Sequence, residues 1–330
     1  MVRRWNAGLA LLLLVAVPHG LCAQTASASA AELAVRLAGM TAVTGYEQAM
    51  VDTLLTLLPG AERDRAGNAV LVIGSGAPRR LAACPLDETG YAVGRVRPDG
   101  WLTLHRSPAR LRGTGPLFDQ QLEGQRVTVF GRNGPVPGVV AVRSVHLTRG
   151  RGSVSTEPFT ADDAFVDLGA ATDREVAALG VGVLSPMSLA KRPHRYGADK
   201  LAAPMAGRRA ACAALLAAAR QTVAEHGMVP VRGTTVIAFL VEQQLEAKGL
   251  LTLGTSRGPF DDTWIADDST GVAALERAAL PPGPRAGLGR LHSWTIATGY
   301  PGTAVETVTL GEVDQTGVRI AGWLRGEAGQ

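Results

Sequence analysis

The sequence predicts an α/β fold that is interrupted by a small β-barrel or sandwich, and three observations lead to this fold class. Helical periodicity alternates with short apolar runs near both ends of the chain, whereas residues 91–185 show short strand-like runs without a helical pattern between them. Hydrophobic residues make up 46% of the chain and charged residues 19%, which excludes a disordered polypeptide. The 40 glycines follow no fixed period, so they suit turns rather than a fibrous repeat.

The first predicted elements are two helices followed by two buried strands. Apolar residues recur at helical spacing over 32–40 and 48–58, and Gly45 lies in the turn between these segments. Short apolar runs at 69–73 and 80–84 are bounded by glycine and proline, which is typical of buried strands. The order helix, helix, strand, strand indicates the start of an α/β layer.

A β module and a second α/β segment follow. The strands predicted for the β module are 92–96, 101–105, 126–130, 136–142 and 164–168. An alanine-rich pattern then predicts a helix over 206–226, and a β-prone run predicts a strand over 234–241. The remaining predictions are a strand at 262–266, a helix at 271–279, a turn at 281–289, and strands at 294–298 and 306–310.

An apolar segment near the start of the sequence predicts export. Arg3 and Arg4 precede an apolar run over 9–17, and a small residue, Ala23, follows at the expected cleavage point of a secretory signal peptide. We therefore expect a periplasmic or extracellular protein whose mature chain has no membrane span. The predicted domains are the signal peptide (1–23), a linker (24–31), the first part of an α/β domain (32–94), an inserted β domain (95–188) and the second part of the α/β domain (189–330).

The charge balance excludes nucleic acid as a partner. The formal net charge is +4, and cleavage after Ala23 removes Arg3 and Arg4 but no acidic residue. The mature chain is therefore close to neutral, and it has no block of lysines and arginines that could follow a phosphate backbone.

The two cysteines of the mature chain, Cys84 and Cys212, are too few for a disulfide scaffold. We interpret them as buried structural thiols, with a disulfide bond between them as the second choice. A cysteine-dependent hydrolase is a further hypothesis, and it requires an exposed cysteine with a depressed pKa. None of the histidines lies at ligand spacing to either cysteine, so this hypothesis has little support.

Short motifs follow one another along residues 44–170. They are T-G-Y-E at 44–47, D-R-A-G-N at 64–68, L-D-E-T-G-Y-A-V at 86–93, D-G-W at 99–101, G-Q-R-V at 124–127, G-V-V at 138–140, H-L at 146–147 and D-L-G-A at 167–170. In this order they resemble the motifs of the co-catalytic metallo-aminopeptidases that include glutamyl aminopeptidase and the tetrahedral aminopeptidases. The colinear resemblance extends from about residue 30 to about residue 270.

The resemblance implies a zinc-aminopeptidase-like α/β/α domain with an inserted β domain, which is the organisation that the hydrophobic pattern also predicts. It further implies a peptide ligand and a homo-oligomer that assembles through the inserted β domain. Members of this family hold two metal ions about 3.5–4 Å apart, which share and activate a water molecule.

The residues at the metal-binding and catalytic positions of this family are replaced here. In the order ligand histidine, bridging aspartate, general-base glutamate, ligand glutamate and last histidine, the matching positions hold Pro85, Ala206, Gln243, Gln244 and Gly302. The aspartate that follows the bridging one falls on Gly207, whereas the arginine of the same motif is retained as Arg208. We expect Arg208 to have kept a salt bridge within the fold.

Five residues remain as candidates for a retained or rearranged site. Asp87 and Glu88 stand in the matching strand motif, and Asp267 or Asp268 could supply the carboxylate ligand of a later strand. His292 is a candidate for a displaced histidine ligand, because the register of the last part of the chain is ambiguous. Asp87 alone, without a ligand histidine beside it, is better explained as a hydrogen-bonding residue at a strand end.

We interpret the chain as an exported pseudo-peptidase that serves as a peptide-binding or scaffold protein and needs no cofactor. Gln243 cannot take a proton from water, which removes a step worth about 10²–10⁴ in rate. The alternative is an active aminopeptidase with a rearranged site that binds zinc, cobalt or manganese. Glu242 or Glu246 would then be a displaced base, although both are better explained as solvated loop residues.

Overall fold

The computed structural model describes residues 28–107, 117–141, 159–227, 233–268 and 287–327. The predicted signal peptide at 1–23, the predicted helix at 271–279, most of the predicted turn at 281–289 and the motif residues 146–147 lie outside these ranges. None of the helices in these ranges combines the length and the apolar character that crossing a bilayer requires.

Seven α-helices, one short 3-10 helix at Ala161–Asp163 and fifteen strands lie in the described residues. The helices are α1 (Ala30–Ala38), α2 (Gln48–Leu57), α3 (Leu117–Gln120), α4 (Asp173–Ala178), α5 (Ala206–His226), α6 (Lys248–Arg257) and α7 (Leu310–Arg325). The strands are β1 (Glu62–Arg63), β2 (Ala69–Gly74), β3 (Arg79–Pro85), β4 (Gly90–Val96), β5 (Leu102–Ser107), β6 (Arg126–Gly131), β7 (Gly134–Val140), β8 (Val166–Asp167), β9 (Pro186–Leu189), β10 (His194–Tyr196), β11 (Lys200–Ala203), β12 (Thr234–Leu240), β13 (Asp262–Asp268), β14 (Arg290–Ile296) and β15 (Glu306–Thr309).

The central sheet has six strands in the order β1-β2-β12-β3-β13-β14. The strands β12, β3, β13 and β14 run parallel to one another, whereas β2 is antiparallel to β12. All seven residues of β12 are buried, as expected for the centre of a sheet that is covered on both faces. The carboxyl ends of the four parallel strands therefore meet at one edge.

Helices cover both faces of this sheet. Alternate strand residues point to opposite faces, so Leu71 and Phe239 join a core with α1, α5 and α7, whereas Leu81 and Val236 join a second core with Leu253 of α6. Each core residue named here is fully buried. The result is a three-layered α/β/α domain.

A closed barrel lies between the two parts of this domain along the chain. Its strands follow the order β4-β5-β8-β7-β6-β9. Tyr91, Val93, Leu104, Val129 and Met187 fill its interior. The predicted fold class is confirmed, and the β module is a barrel rather than a sandwich. A third, small sheet pairs β11 with both β10 and β15.

A disulfide bond joins Cys84 at the end of β3 to Cys212 in α5. The two Cα atoms are 5.4 Å apart, and both side chains are fully buried. The preference for two separate thiols is therefore wrong, because α5 packs across the end of β3 and brings the cysteines together. The hypothesis of an exposed cysteine nucleophile is contradicted by the same bond.

Candidate functional site

The predicted site positions gather at the carboxyl edge of the parallel strands. Pro85 ends β3, and Asp87 follows it; Gln244 follows β12, and Asp267 stands at the end of β13. Helix α5 begins at Ala206 beside this edge. Ligand sites of open α/β sheets form at such an edge, so the fold places these residues where a functional site is expected.

Asp87 is fully buried and only partly hydrogen-bonded. Its Oδ2 accepts hydrogen bonds from the backbone N–H of Gln244 at 2.8 Å and from the hydroxyl of Thr44 at 3.2 Å. Its Oδ1 has no hydrogen-bond partner in the described part of the chain, and Nη1 of Arg208 lies 3.6 Å from it. Burial raises the pKa of Asp87, and the charge of Arg208 opposes this shift.

Arg208 connects two of the candidate carboxylates. Its Nε and Nη2 donate to Oδ1 and Oδ2 of Asp267 at 3.1 and 3.2 Å, and its Nη1 donates to the backbone carbonyl of Asp87 at 2.7 Å. Burial alone would lower the pKa of Arg208, but the charges of Asp267, Asp268 and Asp87 outweigh it and raise the pKa. The expected salt bridge of Arg208 is therefore present, and it is a two-point contact with Asp267.

Burial also raises the pKa of Asp267 to about 7. The neighbouring charge of Asp268 adds to this shift, whereas the guanidinium of Arg208 opposes it. The backbone N–H of Asp268 also donates to Oδ1 of Asp267 at 2.9 Å.

Glu88 belongs to a second buried ion cluster. Its Oε2 lies 2.6 Å from Nζ of Lys191 and 2.9 Å from Nη2 of Arg209, and Arg209 also donates to the backbone carbonyl of Leu86. Burial of Glu88 would raise its pKa, but these two cations outweigh burial and lower it. Glu88 is thus ionised, and its negative charge is balanced by Lys191 and Arg209.

Gly302 and Gly207 both face Glu306 rather than a metal ligand. Their backbone N–H groups donate to the Glu306 carboxylate at 2.8 and 3.3 Å. Burial raises the pKa of Glu306 to about 7, and the charge of Asp268 contributes. At Gly207, an added Cβ would lie 2.2 Å from Oγ1 of Thr298, so no larger side chain fits there.

The two glutamines are held by local hydrogen bonds. Oε1 of Gln244 accepts from the hydroxyl of Thr89 at 2.8 Å. Nε2 of Gln243 donates to the backbone carbonyl of Val241 at 3.4 Å, which is a long hydrogen bond. Beside them, Oε1 of Glu47 accepts from the backbone N–H groups of Gly45 and Glu242 at 3.0 and 2.9 Å. Burial raises the pKa of Glu47 to about 7.

The side chains of the remaining candidates pair with other groups or face solvent. His292 sits in β14 opposite Trp264, stacks on its ring at 4.6 Å and lies 3.2 Å from Asp262. Asp262 begins β13 whereas Asp267 lies at its other end, which separates them by roughly 16 Å. Glu242 pairs with Lys248 at 2.5 Å, and Glu246 is an exposed loop residue.

These residues do not fit a two-metal centre. Pro85 and Ala206 have no side-chain donor atom, and Asp267 is already engaged by Arg208. The position of the second lost aspartate, Gly207, is closed by Thr298. Within the described residues, no three histidine, cysteine, aspartate or glutamate side chains form a group that could hold a metal ion.

Sequence reasoning missed several residues that shape the site. Lys191, Thr298 and Glu47 contact the cluster but were not candidates, because the first two lie outside the motifs and Glu47 stands in a motif without an assigned role. Arg209 was visible only as the neighbour of a matched arginine. Its complete burial at the start of α5 could not be read from the sequence.

An α/β/α domain with an inserted barrel and a site at the carboxyl edge of its parallel strands defines a protein of the zinc-aminopeptidase-like class. The family described as M42 glutamyl aminopeptidase matches residues 67–243, which is more than half of the chain. The chain belongs to this family, and the resemblance inferred from its motifs is confirmed.

Curated relatives carry aminopeptidase names. The chain is 25% identical over 230 residues to the lysyl aminopeptidase of Pyrococcus furiosus, a match that covers 65% of this chain and 64% of that protein. It is 37% identical over 90 residues to the glutamyl aminopeptidase of Lactococcus lactis subsp. cremoris, covering 27% of this chain and 23% of that protein. The matches to curated relatives span between about a quarter and two thirds of each relative's length.

Solved structures share the fold over most of the chain. The TET1 peptidase of Pyrococcus horikoshii, described as assembling into a tetrahedron or a large octahedral shell, superposes with a TM-score of 0.74 at 18% identity and covers 90% of this chain and 99% of that one. An aminopeptidase of Desulfurococcus kamchatkensis superposes with a TM-score of 0.73 at 17% identity, covering 90% and 94% of the two chains. At these identities the likeness establishes the fold.

Proposed function

We propose that this protein is an exported, catalytically inactive relative of the M42 aminopeptidases that binds peptide termini without cleaving them. The observation that carries this proposal is the absence of side-chain donor atoms at Pro85 and Ala206, which stand at the end of β3 and the start of α5, at the edge where a metallopeptidase binds its metals. The ion pair between Arg208 and Asp267 does not decide the point, because the family motif retains this arginine.

The lost donor atoms support the same conclusion. Pro85 and Ala206 offer nothing to a metal, and Gln243 offers no base to a water molecule. A single replaced ligand could be compensated by a neighbour. Three replacements in separate motifs remove the ligands and the proton acceptor together.

The excess of carboxyl groups around the site supports a positively charged ligand. The described residues place six largely buried carboxyl groups and three largely buried cations at this edge. They are Asp87, Glu88, Asp267, Asp268, Glu306 and Glu47, against Arg208, Arg209 and Lys191. Burial raises the pKa values of Asp267, Glu306 and Glu47 to about 7, so a bound ammonium group would favour their ionised form, and the free amino terminus of a peptide is such a group.

The disulfide bond supports export. A bond between Cys84 and Cys212 persists in an oxidising compartment and is rare in the cytosol. Assembly into a homo-oligomer is part of this proposal, and the assemblies named for the structural relatives support it.

The catalytic part of the proposal is tested by metal content and hydrolysis on the same preparation. The protein is purified without chelator, dialysed against zinc, cobalt or manganese, and assayed with a panel of aminoacyl-nitroanilides, with the Pyrococcus furiosus lysyl aminopeptidase as a positive control. We expect no more metal per chain than in the buffer blank, and no turnover.

Stoichiometric metal together with turnover that a chelator abolishes would overturn the proposal and establish the alternative, an active aminopeptidase with a rearranged site. Residual hydrolysis is assigned to this chain only if it is lost in Asp268→Asn, since a contaminating peptidase is insensitive to that substitution.

The binding part is tested by fluorescence polarisation with labelled peptides that have free or acetylated amino termini. Equal binding of the two sets contradicts a site for the ammonium group.

A further inference from the structure

A turn of the barrel lies against the loop that carries Glu47. The hydroxyl of Tyr46 donates to the backbone carbonyl of Leu184, in the turn before β9, at 3.0 Å. Glu47 follows Tyr46 in the sequence, and its Oε1 accepts the backbone N–H of Glu242, in the loop after β12, at 2.9 Å. Leu184 therefore stands beside the carboxyl-rich edge of the sheet, although it belongs to the barrel.

Apolar side chains are exposed on these three loops. Val183 and Leu184 are 63% and 62% exposed, and Tyr46 and Leu245 are exposed as well. Leu245 lies in the loop after β12, where its backbone N–H donates to the carbonyl of Glu242 at 3.2 Å. Single exposed apolar residues need no explanation, but several of them around one polar site indicate a binding surface. We name Tyr46, Val183, Leu184 and Leu245 the apolar rim.

The turn that presents Leu184 is well fixed, and its backbone does not favour leucine. Leu184 has a φ of 66°, a left-handed conformation that glycine adopts freely and that other residues adopt at a cost. Its backbone N–H donates to the carbonyl of Val93 at 2.7 Å, and the backbone N–H of Gly182 donates to the hydroxyl of Ser185 at 3.0 Å. Neither the backbone nor burial explains an exposed leucine here, which suggests a role in binding.

Other left-handed residues occur at the same edge of the sheet. The structure shows six such residues other than glycine within the ranges that it describes. Three lie in the loop after β12, and the others precede β9, precede α5 or follow β14; they are Leu184, Met205, Glu242, Glu246, Ala247 and Tyr300. Unfavourable backbone of this kind is concentrated at functional sites. Its distribution therefore points to the edge where the rim adjoins the buried carboxyl groups.

We propose that the apolar rim binds the side chain of the first residue of a peptide, so that the ligands are peptides with a free amino terminus and a bulky apolar first residue. This inference rests on the proposed function, which supplies the site for the ammonium group. The first side chain leaves the carbon atom that bears the ammonium group, so it reaches a surface beside the carboxyl groups. Tyr46 adjoins Glu47 in this way. A carboxyl group next to an apolar surface complements such a peptide, whereas an apolar contact between two copies of the chain needs no carboxyl group.

The experiment measures fluorescence polarisation with peptides that carry a label at the carboxyl end and differ only in their first residue. Leucine, phenylalanine, glycine and aspartate are compared at this position, and an acetylated leucine peptide is included. We expect the native chain to bind the leucine and phenylalanine peptides about tenfold more tightly than the glycine peptide, as partial burial of an apolar side chain implies. The aspartate peptide should bind no better than the glycine peptide.

The variant Leu184→Asn removes the apolar side chain and suits a left-handed backbone, because asparagine tolerates that conformation. We expect it to bind the leucine peptide about threefold to tenfold more weakly and the glycine peptide as the native chain does. Val318→Asn is the matched control, since Val318 is 66% exposed in α7, and it should change neither affinity. If Leu184→Asn does not fold, Leu184→Ala is scored in the same way.

Equal affinities of the native chain for the leucine and glycine peptides would overturn the inference, and so would equal losses in Leu184→Asn and Val318→Asn. A changed oligomeric state of Leu184→Asn in light scattering, with unchanged peptide preference, would assign the rim to a contact between copies instead. Equal binding of the free and acetylated leucine peptides contradicts the proposed function. Discrimination of the amino group without discrimination of the first side chain contradicts this inference alone, and binding of no peptide contradicts both.

Discussion

Gly207 lies so close to Thr298 that a Cβ atom at position 207 would be 2.2 Å from the Thr298 hydroxyl oxygen. The same atom would be 2.7 Å from Cβ of Asp268. The start of α5 is therefore packed directly against the loop after β14, and no space is left for a side chain at position 207.

We predict that Gly207→Ala lowers the free energy of unfolding by about 1–3 kcal/mol, because overpacking forces neighbouring atoms to shift. In an ordinary helix, replacing glycine by alanine raises the free energy of unfolding, so a decrease at position 207 identifies overpacking. Urea denaturation measures it, and Gly182→Ala is the matched control, since an added Cβ there has nothing within 4 Å. A neutral or stabilising effect at position 207 would show that the site is open.

The disulfide between Cys84 and Cys212 closes a segment of 128 residues. Loop closure of this length is expected to stabilise the fold by about 4–5 kcal/mol in the chain-entropy treatment. Urea denaturation of the variant Cys84→Ala/Cys212→Ala should show a free energy of unfolding that is lower by about this amount. When the native protein is denatured without a reductant, Cys84 and Cys212 should not react with a thiol reagent. Two titratable thiols in freshly purified, unreduced protein would contradict the bond.

Stability is predicted to fall as the pH rises from about 4.5 to above 7. Burial raises the pKa of Glu47 and of Glu306 to about 7 from an ordinary value of 4.5. The folded state therefore holds these protons more tightly than the unfolded state, and its advantage is complete below about pH 4.5 and lost as the pH passes through 7. Each group accounts for about 3 kcal/mol over this window.

Chemical denaturation at a series of pH values checks this effect. Glu306→Gln keeps an acceptor for the backbone N–H of Gly302, loses the acceptor for Gly207 and cannot titrate, so its stability should be lower overall and should change less with pH than that of the native chain. The exposed Glu123→Gln serves as the control and should leave the slope unchanged. An identical slope in Glu306→Gln would mean that Glu306 is ionised throughout.

Tyr300 holds a left-handed backbone with a φ of 51° while its side chain is 68% exposed. An L-residue pays roughly 1–2 kcal/mol for this conformation, and glycine adopts it freely. We predict that Tyr300→Gly stabilises the protein by about 0.5 kcal/mol after the entropy of glycine is subtracted. Tyr196→Gly, in strand β10 and also exposed, should be destabilising instead, and thermal unfolding distinguishes the two signs.

Much of the fold could be predicted where local pattern and tertiary packing agree. The alanine-rich helix at 206–226 has the predicted bounds, and the β-prone run that became β12 differs by one residue. Helices α6 and α7 were missed because glycine and threonine interrupt their patterns, and tertiary packing compensates for that low propensity. The strands β9 to β11 were missed because they are only three or four residues long.

The candidate site was predictable in position but not in contacts. The motif resemblance grouped Asp87, Gln244 and Asp267 in one candidate site, and the structure places all three at one edge of the sheet. The partners of those residues come from segments far away in sequence, such as Lys191, and no periodicity marks them. The place of His292 depends on its register opposite Trp264, which sequence alone left open.

The barrel strands lie between Gly90 and Leu189, and so wholly inside the covalent ring that Cys84 and Cys212 close. A single cut in any barrel loop would leave two fragments that are still joined through sulfur. Both α/β halves would stay tethered beside each other after such a cut, and the fragments would migrate as one species until a reductant released them. The bond therefore protects the integrity of the chain against nicking as well as against unfolding.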